Sequence, residues 1–362
     1  MNLQSISRLV ALVLAGLLAG VVRAAPPAAT QPLTPEQAIR RSNIALANLL
    51  LDGPTDDQLR HLGNRYRAGG DFTRAIVLHL TALRGDPDDP EVEYDLACDF
   101  AFARENKLGI KYLQRAADHG YWGYRVAVDD TDINPLRSDP AFAPALAKIK
   151  ASFDTQSRKH APGMTVKLPS GAAPAGGWPV VFFLHGFASS RHDFDPEAQI
   201  VSTLGYVGVS LDGTQVMGPG AYMWDRKSTD VTHHQVQAAL KSLKFPVDQK
   251  RVYLQGFSQG GMHAVRLFAD HPDVYAGCLA NSPGSAWLAP TRLADPAHTG
   301  TLVLSLGSQE DPTITKSVGA LEALWKSAGR PVHVIHFEGG HQFPPDPEKV
   351  LRTALEQLSG VK

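Results

Sequence analysis

The stretch Arg251-Val252-Tyr253-Leu254-Gln255-Gly256-Phe257-Ser258-Gln259-Gly260-Gly261 decides the fold. Its first five residues read as a short buried strand, and the residues after Gly261 take up a helical pattern. Between them lies Gly-x-Ser-x-Gly. A strand that turns this sharply into a helix brings the backbone so close to itself that side chains at positions 256 and 260 would collide, hence glycine at both. The same turn lifts Ser258 out of the sheet and sets it at a helix N-terminus, where developing negative charge is favoured. Ser258 is therefore read as a nucleophile and not as an ordinary helix cap.

Outward from this turn, apolar runs recur at 179–185, 206–211, 276–280, 301–306 and 332–337, and an alternating run lies at 164–169. Helical patterns fill the intervals at about 229–243, 259–271, 314–328 and 346–359. Strands alternating with helices predict an α/β fold with a doubly wound, mostly parallel sheet. Chemistry in such sheets sits beyond the carboxyl ends of the strands.

A serine hydroxyl needs a base to remove its proton, and the base needs a third group to orient it. The chain order expected here is Ser, acid, His. The run 301–306 leads into Gly307-Ser308-Gln309-Glu310-Asp311-Pro312, and 332–337 leads into Glu338-Gly339-Gly340-His341. His341 is the expected base. Asp311 is the expected acid, on the form Gly-x-x-x-Asp-Pro, with Glu310 as its rival; Asp346 follows His341 and reads as a helix cap. His333 and His336 lie within a strand, His233 and His234 in a helix, and His298 in a loop, so each reads as a packing or surface residue. Oxyanion donors are expected from the backbone N–H groups of Gln259, next to the nucleophile, and of Phe187, after Leu184-His185-Gly186. His185 reads as a structural member of that loop. The spacing offers no convergent metal set, and no cofactor is called for.

On these motifs, residues 160–362 resemble the α/β-hydrolase superfamily. Leu184-His185-Gly186-Phe187 combined with Gly256-Phe257-Ser258-Gln259-Gly260-Gly261 is similar to its phospholipase/carboxylesterase and dienelactone-hydrolase-like esterase branches. The resemblance implies hydrolysis of carboxylic esters through an acyl-enzyme, with Ser258, Asp311 and His341 as the triad. A small-molecule ester is the implied substrate. Two long loops supply candidate substrate contacts, Tyr222 and Trp224 in 213–227 and Trp287 in 283–300, unless these aromatics pack against the helical repeats instead. No long helical lid is inserted, which disfavours a lipase acting at an oil interface. A serine peptidase of the same fold and a non-catalytic repeat-based scaffold are the alternative readings.

Residues 34–150 are helical in pattern, and a shift of 34 aligns Leu62 with Leu96, Gly63 with Ala97, Tyr66 with Phe100, Ala75 with Gly109 and Ala82 with Ala116. A period of 34 is that of tetratricopeptide repeats, which this region resembles, with units at about 56–89 and 90–123. Gly69-Gly70 reads as an inter-helix turn, and Pro87 as the end of the second helix. Such an all-α domain offers a surface to a protein partner or merely packs on its neighbour. Asp129, Asp130 and Asp132 lack the glycine and glutamate of a calcium loop and read as a solvated turn.

The chain opens with a short polar segment, an unbroken apolar run at 9–22, and Arg23-Ala24-Ala25-Pro26. This layout predicts a signal peptide cut after Ala24, hence export to a periplasm or beyond; an uncleaved anchor needs a longer run. The expected division is 1–24 signal, 25–158 helical, 159–362 hydrolase. Lys+Arg 35 against Asp+Glu 36, a net charge of -1, supplies no positive field for nucleic acid. At 362 residues, 43% apolar, the chain is long and varied enough for two folded domains. Its two cysteines, Cys98 and Cys278, cannot form a disulfide scaffold; both fall in apolar segments and read as buried thiols.

Overall fold

The computed structural model describes residue 43, residues 53–284, residues 293 and 295, and residues 299–359. The expected signal segment and Trp287 lie outside the described residues. The chain divides into two compact units: one runs to Trp122 and includes Ala127–Ser152, and the other comprises Gly123–Val126 with Phe153–Lys362.

The first unit is helical. Thr55 and Gln58 form a reciprocal capping box that starts α1 (Asp56–Ala68), each side chain accepting the other's backbone N–H. Gly70, at φ 79°, turns the chain, and Asp71 caps α2 (Phe72–Ala82). Asp89 with Pro90 at the first helical position starts α3 (Pro90–Phe102). After a break at Arg104, α4 follows (Asn106–Asp118). Helix starts thus recur after 34 residues, at Asp56 and Pro90 and again at Phe72 and Asn106. Leu59, Leu78, Val92, Leu96 and Phe100 form the shared core. A Cβ at Gly63 would lie 2.4 Å from Nε2 of His79, so the small residue there makes room for a buried imidazole. Pro87 does not end α2. The helix stops at Ala82 through a succession of turns at Leu83, Arg84 and Gly85, with Pro87 beyond them. Two further α-helices, α5 (Tyr124–Asp129) and α6 (Phe142–Gln156), and two short 3-10 turns at Asn134–Leu136 and Ser157–Lys159 precede the sheet.

The second unit is a seven-stranded sheet flanked by helices. Its strands are β1 (Met164–Lys167), β2 (Trp178–Leu184), β3 (Val207–Leu211), β6 (Val247–Phe257), β7 (Gly277–Asn281), β8 (Thr301–Gly307) and β9 (Val332–Phe337), in the order β1-β3-β2-β6-β7-β8-β9. Only β1 runs antiparallel to its neighbour. Side chains alternate between two apolar layers. Phe182, Leu254, Cys278 and Leu304 face one layer, with Val236 of α8 (Asp230–Ser242), Phe268 of α9 (Ser258–Asp270) and Trp325 of α10 (Pro312–Ser327). Phe183, Tyr253, Leu279 and Val303 face the other, with Val201 of α7 (Asp195–Thr203) and Leu355 of α11 (Pro347–Ser359). This is the expected doubly wound, mostly parallel sheet.

Two elements depart from the sequence reading. Helix α7 fills an interval that carried no expected element. The loop expected at 213–227 contains a hairpin, β4 (Gln215–Gly218) and β5 (Ala221–Met223), turned at Gly220 with φ 55°. Its strands are too short for alternation to register.

Candidate active site

Strand β6 is the fourth of seven, so its carboxyl end opens at the middle of the sheet. There Ser258 takes φ 51°, a left-handed conformation that a residue with a side chain rarely adopts. The glycines around it are sterically required. A Cβ at Gly256 would lie 2.3 Å from the Gly260 carbonyl oxygen, and one at Gly260 would lie 2.0 Å from that of Leu184. Ser258 is the first residue of α9, and the Gln259 N–H belongs to that first turn, where no helical carbonyl is available to it.

His341 reaches Ser258 from the loop after β9, its Nε2 2.9 Å from Ser258 Oγ. Its other nitrogen, Nδ1, lies 3.1 Å from both Oε1 and Oε2 of Glu310. The loops that carry Glu310 and His341 are joined through the backbone: Ser308 N–H donates to the Phe337 carbonyl (2.8 Å) and Gln309 N–H to that of Gly339 (2.7 Å). A Cβ at Gly307 would strike the Gly339 carbonyl oxygen at 2.3 Å, so this approach needs glycine. The Phe257 ring packs against the His341 ring at 4.9 Å between centroids, and Phe343 packs behind Phe257 at 4.7 Å.

The expectation of Asp311 as the partner of His341 is corrected. Asp311 is the N-cap of α10, its Oδ1 accepting the Thr313 N–H at 2.7 Å, and that bond holds its fully exposed carboxyl below the ordinary value. With Pro312 fixing the first helical residue, the capping position must face the helix end. Glu310, one residue earlier, faces the opposite way. Its carboxylate is wholly buried, and Oε1 also accepts the Asp311 N–H at 2.9 Å. Asp-Pro before an amphipathic helix is a capping signature, and it was the signal that separates the two acids. Asp346 is likewise a cap, accepting from Lys349 N–H at 3.0 Å.

Trp224 does not line an open pocket, and Tyr222 is largely covered. Trp224 is fully buried, its indole Nε1 donating to the His185 carbonyl at 2.8 Å, and Tyr222 is buried with its backbone N–H donating to the Ser189 carbonyl at 2.7 Å. Phe187 is exposed, and the Arg226 guanidinium lies 4.9 Å from its ring centre. His185 is fully buried. Its Nε2 accepts from Gly213 N–H at 2.8 Å, so Nδ1, 2.6 Å from the Gly186 carbonyl, carries the proton. Burial lowers its pKa and keeps it neutral, consistent with a structural part.

Among the described residues two groups have metal-ligating spacing, both in the helical unit: Asp88, Glu93 and His119, and Cys98, Asp130 and Asp132. Their carboxylates are engaged. Glu93 accepts from Arg115 Nε at 2.6 Å and lies 2.8 Å from His119 Nδ1, and Asp130 accepts from Tyr94 Oη at 2.8 Å. Asp130 also accepts the Asp132 N–H at 2.8 Å, closing the turn there. Cys98 and Cys278 are both buried and free, and burial pushes both thiols up.

Similar proteins include "Putative esterase NocK" of Nocardia uniformis subsp. tsuyamanensis, 30% identical over 166 residues. That match takes in 43% of this chain and 44% of NocK, so the chain spans under half the length of this relative. Among solved structures, the Bacillus cereus carboxylesterase is similar over 54% of this chain and 95% of its own, at 20% identity and a TM-score of 0.46. A carboxylesterase from Mesorhizobium loti is similar over 52% and 98%, at 17% identity and a TM-score of 0.43. The Esterase family model, described as "Putative esterase", matches residues 155–345, more than half of the chain. The span takes in Ser258, Glu310 and His341, and the chain belongs to the Esterase family.

Proposed function

We propose that this chain hydrolyses carboxylic esters of small molecules through an acyl-enzyme on Ser258. The observation that carries the reading is the hydrogen-bonded series from Ser258 Oγ through His341 to the buried Glu310 carboxylate, built on a serine at positive φ. In this reading His341 Nε2 takes the hydroxyl proton as Oγ attacks the ester carbonyl carbon, and the carbonyl electron pair moves onto oxygen. The backbone N–H groups of Phe187 and Gln259 receive that oxyanion. Collapse expels the alcohol, which leaves with the proton from His341. Water then attacks the acyl carbon by the same route, releasing the acid and restoring Ser258. Glu310 keeps Nδ1 protonated and stabilises the imidazolium that forms twice in the cycle.

Two further readings accompany it. The recurrence of helix starts after 34 residues supports a tetratricopeptide-like arrangement in the helical unit, with a protein or peptide as its partner. The apolar run at 9–22 supports export with cleavage after Ala24; N-terminal sequencing of the protein recovered from its host tests it, and a cytosolic product that retains residues 1–24 overturns it. For the hydrolase reading, the purified chain turns over p-nitrophenyl acetate and butyrate, and Ser258→Ala does not. Equal rates for the two proteins overturn it.

A further inference from the structure

The two backbone donors of the proposed oxyanion site come from different elements. Phe187 lies on the loop after β2, and Gln259 on the first turn of α9. Neither loop geometry nor helix geometry fixes one against the other. Yet a hydroxyl attack is served only if both N–H groups point at the same oxygen, within a few tenths of an ångström.

One residue, Trp224, spans that gap. The Gln259 amide grips the backbone of Trp224 at both ends, Oε1 accepting the Trp224 N–H at 3.1 Å and Nε2 donating to the Trp224 carbonyl at 3.2 Å. From the same residue, the indole Nε1 donates to the His185 carbonyl at 2.8 Å, two residues before Phe187. His185 is held in turn by Gly213 N–H on its Nε2. The far side of the Phe187 loop is tied to β5, the strand just before Trp224, because Tyr222 N–H donates to the Ser189 carbonyl. Gly186 packs closely on the nucleophile turn: a Cβ there would come within 3.1 Å of Phe257 Cδ1.

We infer that Trp224 is a positioning residue that holds the Phe187 and Gln259 donors in register around the oxyanion that forms on the ester carbonyl when Ser258 attacks. It touches neither substrate nor reacting atoms, being fully buried. Its volume alone does not account for the arrangement. A buried indole N–H needs some acceptor; here that acceptor is the His185 carbonyl, two residues before Phe187, while both ends of the Gln259 amide bond the backbone of the same tryptophan. The inference rests on the Ser258 reading and extends it to the loop after β5.

The test separates register from packing and from binding. Trp224→Phe keeps an aromatic ring and removes the indole donor. Gln259→Met keeps the Gln259 backbone N–H and removes both amide bonds, so that either variant suffices if the other folds poorly. For p-nitrophenyl butyrate, kcat is expected to fall about tenfold or more in each, with KM within about twofold of the unaltered protein. Affinity for butaneboronic acid, whose boron takes Ser258 Oγ as a fourth ligand and mimics the tetrahedral species, falls by the same factor as kcat/KM. Unchanged kcat and boronate affinity in folded variants overturn the inference, as does a loss confined to KM. Failure of the Ser258 reading shows differently, as turnover by Ser258→Ala equal to that of the unaltered protein.

Discussion

Glu310 and Asp311, adjacent in the chain, point to opposite sides of one turn: the first sets both carboxylate oxygens 3.1 Å from His341 Nδ1, and the second caps α10. Their roles should therefore separate on substitution. Glu310→Gln leaves an amide that no longer fixes the imidazole with its proton on Nδ1, and loss of that orientation costs on the order of 10³–10⁴ in kcat in serine hydrolases. Asp311→Ala removes a cap worth about 1 kcal/mol of stability and leaves kcat within a few-fold. Measuring kcat on p-nitrophenyl butyrate beside urea unfolding distinguishes them. A larger kcat loss in the Asp311 variant than in the Glu310 variant would show that the side chains exchange roles in solution.

What the sequence made legible follows from how locally each feature is determined. Ser258 and Gly256 answer to one tight turn whose constraints lie within five residues, so pattern alone reaches them, whereas the closest contact at Gly260 is the Leu184 carbonyl of β2. His341 follows from chain order and two flanking glycines. The acid differs because both candidates occupy the right loop, and the choice depends on which one the helix takes as its cap. Trp224 shows the opposite failure. Its apolar bulk in a long loop suggested a pocket wall, but its partners, Gln259 and His185, lie 35 and 39 positions away, and no local spacing signals them. Helix α7 was missed because its first turn, Asp195-Pro196-Glu197, reads as a loop until Pro196 is recognised as a residue suited to a helix start.

Two buried groups in the sheet-containing unit oppose each other with pH. Burial pushes the Glu197 carboxyl up from 4.5 to about 7, and burial lowers His263 from 6.5 to about 4. For Glu197 the folded state holds the proton more tightly than the unfolded chain, so its contribution falls as pH rises from about 4.5 to 7. For His263 the unfolded chain binds the proton more tightly, so stability is lost as pH falls from about 6.5 to 4. Each effect is worth on the order of 3 kcal/mol at full extent, and over the shared window they largely cancel. Glu197→Gln removes one arm. Its unfolding free energy should drop more steeply than that of the unaltered protein between pH 7 and 4.5, whatever its value at neutral pH. Parallel pH profiles for the two proteins would rule out a raised Glu197.

The helical unit buries a charge network centred on Arg67, and its removal should be costly. Arg67 donates to Asp99 Oδ1 at 3.1 Å, to Asp95 Oδ1 at 3.2 Å and to the Asp95 carbonyl at 3.2 Å. Asp99 is wholly buried, with His79 Nδ1 2.6 Å from its other oxygen. Arg60 shares Asp95 but does not reach Asp99. Arg67→Met keeps most of the apolar stem and takes the guanidinium from the buried Asp99 carboxylate, leaving it the His79 imidazole; breaking a buried pair on one side typically costs about 3–5 kcal/mol. Removing the carboxylate charge as well, in Arg67→Met/Asp99→Asn, should return part of that loss, because the neutral amide needs no cation. Urea unfolding of both variants and of Asp99→Asn closes the cycle. A loss below about 1 kcal/mol for Arg67→Met, or strict additivity across the cycle, would mean that the network is solvated despite its burial.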